Sequence, residues 1–411
     1  MIASIGWAAS VLWGGALSWD SLLASAKSDP QVVAAYGQVR ELRRTDGTLL
    51  WDKVGAKWNL KRGDLKEMEW DVRVSPTAWG ERGANRASWD ARRALSGSQA
   101  DQSLAQAVVD RLQAGLHWVA ERRELAYHEA LRDVYDERIA ALSKLVGDPR
   151  FDARDLVASQ LLRTENAADA VADRSDLESI EHRLSVLAPG HGPVDLDTHL
   201  VSIARVQQSV GSTSGDTGAV SPDLAVAGRK LDLAVGMEAL ERTRSSRWLD
   251  YLQLGWDWED SSTVSKKNRS ATEWRQVTAE VGIVLPFFDG SSQDRARRLA
   301  ALADARGEYM QERRDLDRRL VNLRMDIRSL IKQRDVLDSL SAKVDAGAVF
   351  GAYALKSGGD PLLLLQAKST TIESSWRSEK LRFDILDRFL TYLYLVGGIA
   401  RVPSDNPLRE R

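Results

Sequence analysis

The chain has 411 residues, 43% hydrophobic and 28% charged, which allows two or three domains and a sizeable buried surface. Its 57 basic and 59 acidic residues leave a formal net charge of -2. This excludes the broad positive field that nucleic-acid and anionic-lipid binders carry. Cysteine is absent, which excludes disulfides, thiolate metal sites and a lipid-modified N-terminal cysteine.

In chain order, residues 2–17 are apolar or small, with no charge before Asp20. Small residues at Ala16 and Ser18 suit a signal peptidase, so residues 1–18 are expected to be a removed export segment. With no basic residue ahead of it, the same stretch also fits a buried N-terminal helix. No later stretch reaches the ~18–20 apolar residues of a spanning helix. Any membrane crossing must therefore use strands.

Asp29-Pro30 opens an amphipathic helix carrying Val32, Val33, Tyr36 and Val39. Alternation at Trp70, Val72 and Val74, a turn around 80–85 and continuation through Trp89 predict a hairpin over about 66–95. Residues 97–146 contain no Pro and predict one long helix, ~75 Å at 1.5 Å per residue. A tight turn at 147–154 and a return helix to 187 follow. Residues 188–220 read as a linker between halves.

The second half, 221–400, opens with another helix. Alternation at Trp248, Leu252, Leu254, Trp256 and Trp258, a polar turn, and Val277, Ala279, Val281, Ile283 and Leu285 set against Gln276, Thr278 and Glu280 predict a hairpin over about 247–286. Residues 291–355 are again Pro-free and would reach on the order of 100 Å as one helix. A turn at 356–361, a return helix and a tail at 401–411 complete the chain. Helices this long imply a coiled-coil-like or tubular object.

The two tight turns share Gly-Asp-Pro, at Gly147, Asp148 and Pro149 and again at Gly359, Asp360 and Pro361. "SDPQVVAA" at residue 28 is echoed by "SPDLAVAG" at residue 221. The order helix, hairpin, long helix, tight turn, return helix is thus stated twice, an internal two-fold repeat. Seven of the 14 tryptophans fall in the two hairpin regions: Trp70, Trp79, Trp89, Trp248, Trp256, Trp258 and Trp274. Aromatic residues at strand ends form girdles at membrane interfaces. A soluble sheet packing an aromatic face on helices has the same period. Four strands are too few to close a barrel in lipid, so a membrane reading requires several chains.

With "VGIVLPFFDGSSQDRARRLAAL" at the second strand-to-helix junction, this order resembles the TolC-like outer-membrane efflux proteins, over roughly residues 19–400. Leu285, Pro286, Phe287, Phe288, Asp289 and Gly290 match the family's junction, whereas the first half has Leu95-Ser96-Gly97 in that place. The resemblance implies a mainly α protein with a small β part. It implies a homotrimer whose four strands per chain make a twelve-stranded barrel in outer-membrane lipid. The long helices would form an α-barrel tunnel in the periplasm. The implied function is a passive exit duct for efflux or type I secretion, opened by a periplasmic adaptor and an inner-membrane pump.

Under the resemblance, the two turns form the periplasmic tip. Its candidate residues are Gly147, Asp148, Pro149, Asp152, Asp155, Tyr353, Gly359, Asp360 and Pro361. Asp148 and Asp360 would sit at helix N-termini, where a carboxylate is favourable. Asp152 and Asp155 would line the aperture, while Leu363 and Gln366 stand where the family often carries an acid. Trp248, Trp256, Trp258 and Trp274 are the candidate membrane-interface aromatics. His191 and His199 flank Asp195 and Asp197, but a third well-spaced metal ligand is lacking. There is no Walker sequence and no Gly-x-Ser-x-Gly elbow. No catalysis, cofactor, metal or nucleic acid is expected. The alternative is a soluble periplasmic or cytoplasmic coiled-coil scaffold without a pore.

Overall fold

The repeat is visible in the element order. The computed structural model describes residues 15–45, 51–60, 67–147, 151–212, 221–247, 249–259, 274–283, 291–343, 361–399 and 406–409. The first half runs α1 (Trp19–Ala24), a 3-10 turn (Ser25–Ser28), α2 (Pro30–Arg44), β1 (Trp51–Leu60), β2 (Glu67–Pro76), α3 (Glu81–Lys144) and α4 (Ala153–Leu187). A short helix, α5 (Ile203–Ser212), lies in the connection between halves. The second half runs α6 (Pro222–Ser245), β3 (Leu249–Glu259), β4 (Trp274–Ile283), α7 (Ser291–Lys343) and α8 (Pro361–Leu395).

The first hairpin differs from the sequence expectation. It occupies residues 51–76 rather than 66–95, and the long helix starts at Glu81 rather than at residue 97. Trp70, Val72 and Val74 do form a strand, but it is the second of the pair, and Trp89 lies inside α3. The helix wins this segment because it has a built start. Gly80 takes φ +84°, which costs a glycine little. The Glu81 Oε2 then accepts a hydrogen bond from the Ala78 N–H at 2.8 Å. The strand-to-helix junction equivalent to the second-half Pro-Phe-Asp-Gly stretch is therefore "SPTAWG" at 75–80, not Leu95-Ser96-Gly97. In the second half, α7 starts at Ser291 as expected and is described to Lys343.

The chain divides into two compact units. One comprises Tyr36–Gln99 and Leu224–Arg313 and carries the sheet. All four strands pair antiparallel in the order β1-β2-β3-β4, so the hairpins of the two halves join through β2 and β3. Near the sheet, Arg244 Nε donates to Glu81 Oε1 at 2.8 Å and ties α6 to the start of α3. Close packing of α6 on α3 is set by Gly236, where a Cβ would press on the Ser88 backbone.

The other unit comprises Met1–Ala35, Ala100–Asp223 and Arg314–Arg411. Its helices bury heptad-like stripes. On α7 the buried residues are Leu316, Leu320, Leu323, Ile327 and Ile331, and on α8 they include Phe383, Leu386, Phe389 and Leu390. The interhelical connection is pinned at several points. Leu17 bridges Val194, Leu200 bridges Arg409, and Trp19 Nε1 donates to the Asp197 carbonyl at 2.9 Å. Gly115 leaves room for the Trp19 ring, which any side chain there would strike. Leu17 is buried, so cleavage after Ser18 would delete a core residue and its backbone pairing.

Candidate membrane face and helix-hairpin turns

Strand register sorts the sheet's side chains into two faces, because successive residues point to opposite sides. One face runs Val54, Ala56 and Trp58 on β1, then Val74, Val72 and Trp70 on β2. It continues as Leu252, Leu254 and Trp256 on β3 and Val281, Ala279 and Val277 on β4. Every one of these twelve residues is apolar, and they lie directly opposite one another across three strand pairs. Apart from half-buried Val74, the large ones are 40 to 67% exposed, although they belong to a continuous apolar surface. Such a surface in water is a liability that soluble sheets avoid.

The opposite face is polar. It carries Lys53 and Lys57, Glu69, Asp71 and Arg73, Gln253, and Thr278 and Glu280. At one end Tyr251 lies over Gly282, where a Cβ would collide with its ring. The Tyr251 hydroxyl donates to Glu280 at 2.6 Å, and the Arg73 guanidinium stacks 3.5 Å from the ring centroid. One face can thus meet hydrocarbon while the other meets water. The strands are 10, 10, 11 and 10 residues long. A tilted transmembrane strand needs about 9–11.

Tryptophans form a row across three strands. Trp58 pairs with Trp70, and Trp70 with Trp256. Trp58 and Trp70 meet edge to face, with centroids 5.5 Å apart. Among the expected interface aromatics, Trp256 sits in this row, and Trp258 lies two residues on along β3. Trp274 opens β4, paired with Glu259 of β3. Trp248 lies outside the described residues. Trp58 was missed from sequence, although "WDKVGAKWNL" carries the period-two signal that reveals it.

The first tight turn is partly described. Helix α3 ends at Lys144, and Gly147 takes φ +104°, as a tight reversal requires. The return helix does not start at Pro149. It starts at Ala153, capped by Asp152, whose carboxylate accepts from the Arg154 N–H at 2.8 Å. Asp152, not Asp148, is therefore the N-cap, because its side chain reaches an orphan amide of the first turn. Asp155 lies in that first turn, and both side chains are exposed. Asp148 and Pro149 lie outside the described residues, as do Tyr353, Gly359 and Asp360. Pro361 is the first residue of α8, as expected.

The histidines near the linker have local partners. His191 Nδ1 lies 3.1 Å from the Ala188 carbonyl, and the Asp197 carboxylate accepts from the His199 N–H at 2.9 Å. Among the described residues no group of three or more ligands is placed to hold a metal ion. None of their helices is long and apolar enough to cross a membrane.

No known family's sequence pattern matches the chain, and no curated protein matches it. Solved structures do. CusC, described in terms of transmembrane channel formation, is 13% identical, with 92% of each chain covered and a TM-score of 0.69. The outer-membrane protein VceC from Vibrio cholerae is 11% identical, covering 92% of this chain and 96% of its own, with a TM-score of 0.68. The open state of the MtrE outer-membrane channel from Neisseria gonorrhoeae is 13% identical, covering 92% and 88%, with a TM-score of 0.67. Over nearly its whole length, the chain has the fold of the TolC-like outer-membrane channels.

Proposed function

We propose that the protein is an outer-membrane exit duct for efflux or type I secretion. Three copies would close a twelve-stranded barrel, with the long helices forming a tunnel through the periplasm. The observation that supports this most is the apolar sheet face, continuous and in register over all four strands. Among the described residues its two outer strands, β1 and β4, are each paired on one side only. Open edges are intolerable in lipid, so the sheet must be completed by further copies. The polar face would then line a water-filled lumen. A passive duct of this kind needs an adaptor to open it and a pump to supply energy. The chain itself would carry out no chemistry.

The test is single-channel recording of the purified protein in a planar bilayer, after its oligomeric state is established. Discrete, cation-biased openings from a trimer are expected. A protein that stays soluble without detergent, and stays silent even when both turns are opened by substitution, would indicate the scaffold instead.

A further inference from the structure

Where α3 and α4 run side by side, one buried polar contact carries a proton requirement. Asn166 is buried on α4, and its Nδ2 donates to the His128 carbonyl at 2.8 Å. A carbonyl only accepts, so this bond fixes the amide and turns Oδ1 toward His128 Nδ1, 2.8 Å away. Oδ1 also only accepts, so Nδ1 must carry a hydrogen. The second ring nitrogen, Nε2, faces Asp173 Oδ2 at 3.3 Å, with side chains only 12% and 16% exposed. Among the described residues no hydrogen bond reaches that buried oxygen, and the imidazole nitrogen is the group set against it. With its one hydrogen on Nδ1, a neutral imidazole would set a lone pair against a carboxylate. One more proton, on Nε2 or on Asp173, turns the repulsion into a hydrogen bond.

We propose that His128, Asn166 and Asp173 form a proton-held clasp between α3 and α4. It is closed while a proton is shared between Nε2 and Oδ2 and released when that proton leaves.

The surroundings favour keeping the proton. Asp173 feels Glu124 from α3 and Asp169 and Asp176 from α4, Glu121 of α3 feels Asp173 and Lys380 of α8, and Glu129 and Arg174 adjoin His128 and Asp173 in the chain. Arg174 lies 4.0 Å from Glu129, and Lys380 lies 3.7 Å from Glu124, so both cations already have acidic partners. The α8 side also brings Trp376, which stacks on Tyr127, and Tyr127 meets the His128 ring edge-on at 4.8 Å. Glu373 and Arg377 of α8 face that tyrosine. Burial pushes the Asp173 carboxyl above its usual range; His128 opposes this, while Glu124, Asp169 and Asp176 add to it. Since the native Asp173 carboxyl holds a proton more tightly than in an unfolded chain, its contribution to the clasp is fully present in acid. It is lost as pH rises through the raised value. The clasp stands on this geometry alone; any effect on conduction rests on the exit-duct reading.

The absence of cysteine permits a direct test on the full chain. Ala126→Cys on α3 and Ala172→Cys on α4, both exposed positions, take spin labels, and labelled copies are diluted into unlabelled protein. Pulsed dipolar spectroscopy then reads the interhelical distance from pH 5 to 9. A narrow distance in acid should give way to a broad one. The narrow-to-broad ratio should fall up to roughly tenfold per pH unit above the transition, the limit for one proton. Asp173→Asn places an amide N–H where the shared proton sits, so it should hold the narrow distance at every pH. A distance in the parent protein that does not change with pH overturns the clasp, and this needs no folded variant. An Asp173→Asn protein that titrates like the parent overturns it as well. Neither readout involves conductance, so a silent channel with a titrating clasp would count only against the duct.

Discussion

At the scale of single residues, the most committed side chain is Arg111, 2% exposed in the middle of α3. Its Nε donates to Ser25 Oγ at 2.8 Å, and its terminal nitrogens reach Asp29 Oδ2, the Ala107 carbonyl and the Leu187 carbonyl. One guanidinium thus joins the 3-10 turn, the start of α2 and the end of α4. Burying a charge is worthwhile only when every donor is answered, as here. Arg111→Met should cost about 3–5 kcal/mol, because it strands a part-buried Asp29 and removes a bond to the end of α4. Arg111→Lys should recover little, since a lysine lacks the planar fork. Thermal unfolding, with proteolysis followed near residue 188, checks both. Glu121 makes a second prediction. Burial first, then Glu124, Asp173 and Asp176, push its carboxyl from 4.5 up to about 7. A raised acid stabilises the native state below its unfolded value and loses that contribution as pH rises through about 7. Glu121→Gln should therefore stabilise the protein at pH 8, by on the order of 1 kcal/mol after solvent screening, raising its melting temperature there, and leave it unchanged at pH 4.

At the scale of elements, the sheet states its own environment. Leu254 sits mid-strand on the apolar face at 61% exposure, next to Gln253 on the polar face. In lipid, Leu254→Lys should cost about 2–4 kcal/mol, the penalty for a cation near the bilayer midplane, and Gln253→Lys close to nothing. On a water-exposed sheet the two substitutions would be equally mild. Comparing folded yields in liposomes at rising urea separates these cases. The second hairpin was legible because its alternation is strong and ends in a recognisable junction. The first was displaced because the apolar positions of β1 are Val54, Ala56 and Trp58, interleaved with Lys53 and Lys57, and Ala56 contributes little to the pattern. Trp89 then offered a false partner for Trp70, when the true partners are Trp58 and Trp256. Alternation shows which residues share a face, but not which strand lies alongside. At the first turn the reversal at Gly147 was legible, while the capping residue was not, because Asp148 and Asp152 are equally good caps on paper. Arg111 and the His128–Asn166–Asp173 contact left no trace in the sequence, since their partners come from other helices.

At the scale of the whole molecule, the open question is what the tip of an assembled duct does to ions. Three copies would bring three Asp152 and three Asp155 carboxylates to one end, beside the α4 N-termini. Carboxylates around a narrow opening attract cations and repel anions, and the effect weakens as salt shortens the Debye length. Asp152 has a second role as N-cap, so its alanine variant would confound charge with helix stability, a loss of ~1 kcal/mol. Asp152→Asn separates them, because asparagine caps as well as aspartate but carries no charge. If these rings guard the opening, Asp152→Asn and Asp155→Ala should each lower the preference for cations, and Asp155→Ala should also raise conductance. The double variant should show the larger change, and 1 M salt should shrink every difference to a fraction of its value at 0.1 M, as the screening length falls from about 10 to 3 Å. Reversal potentials in a potassium chloride gradient measure the preference directly. Channels whose reversal potential and conductance are untouched by both substitutions would remove Asp152 and Asp155 from the gate. The constriction would then have to be sought in the second turn, with Tyr353 and Asp360 as the residues to change next.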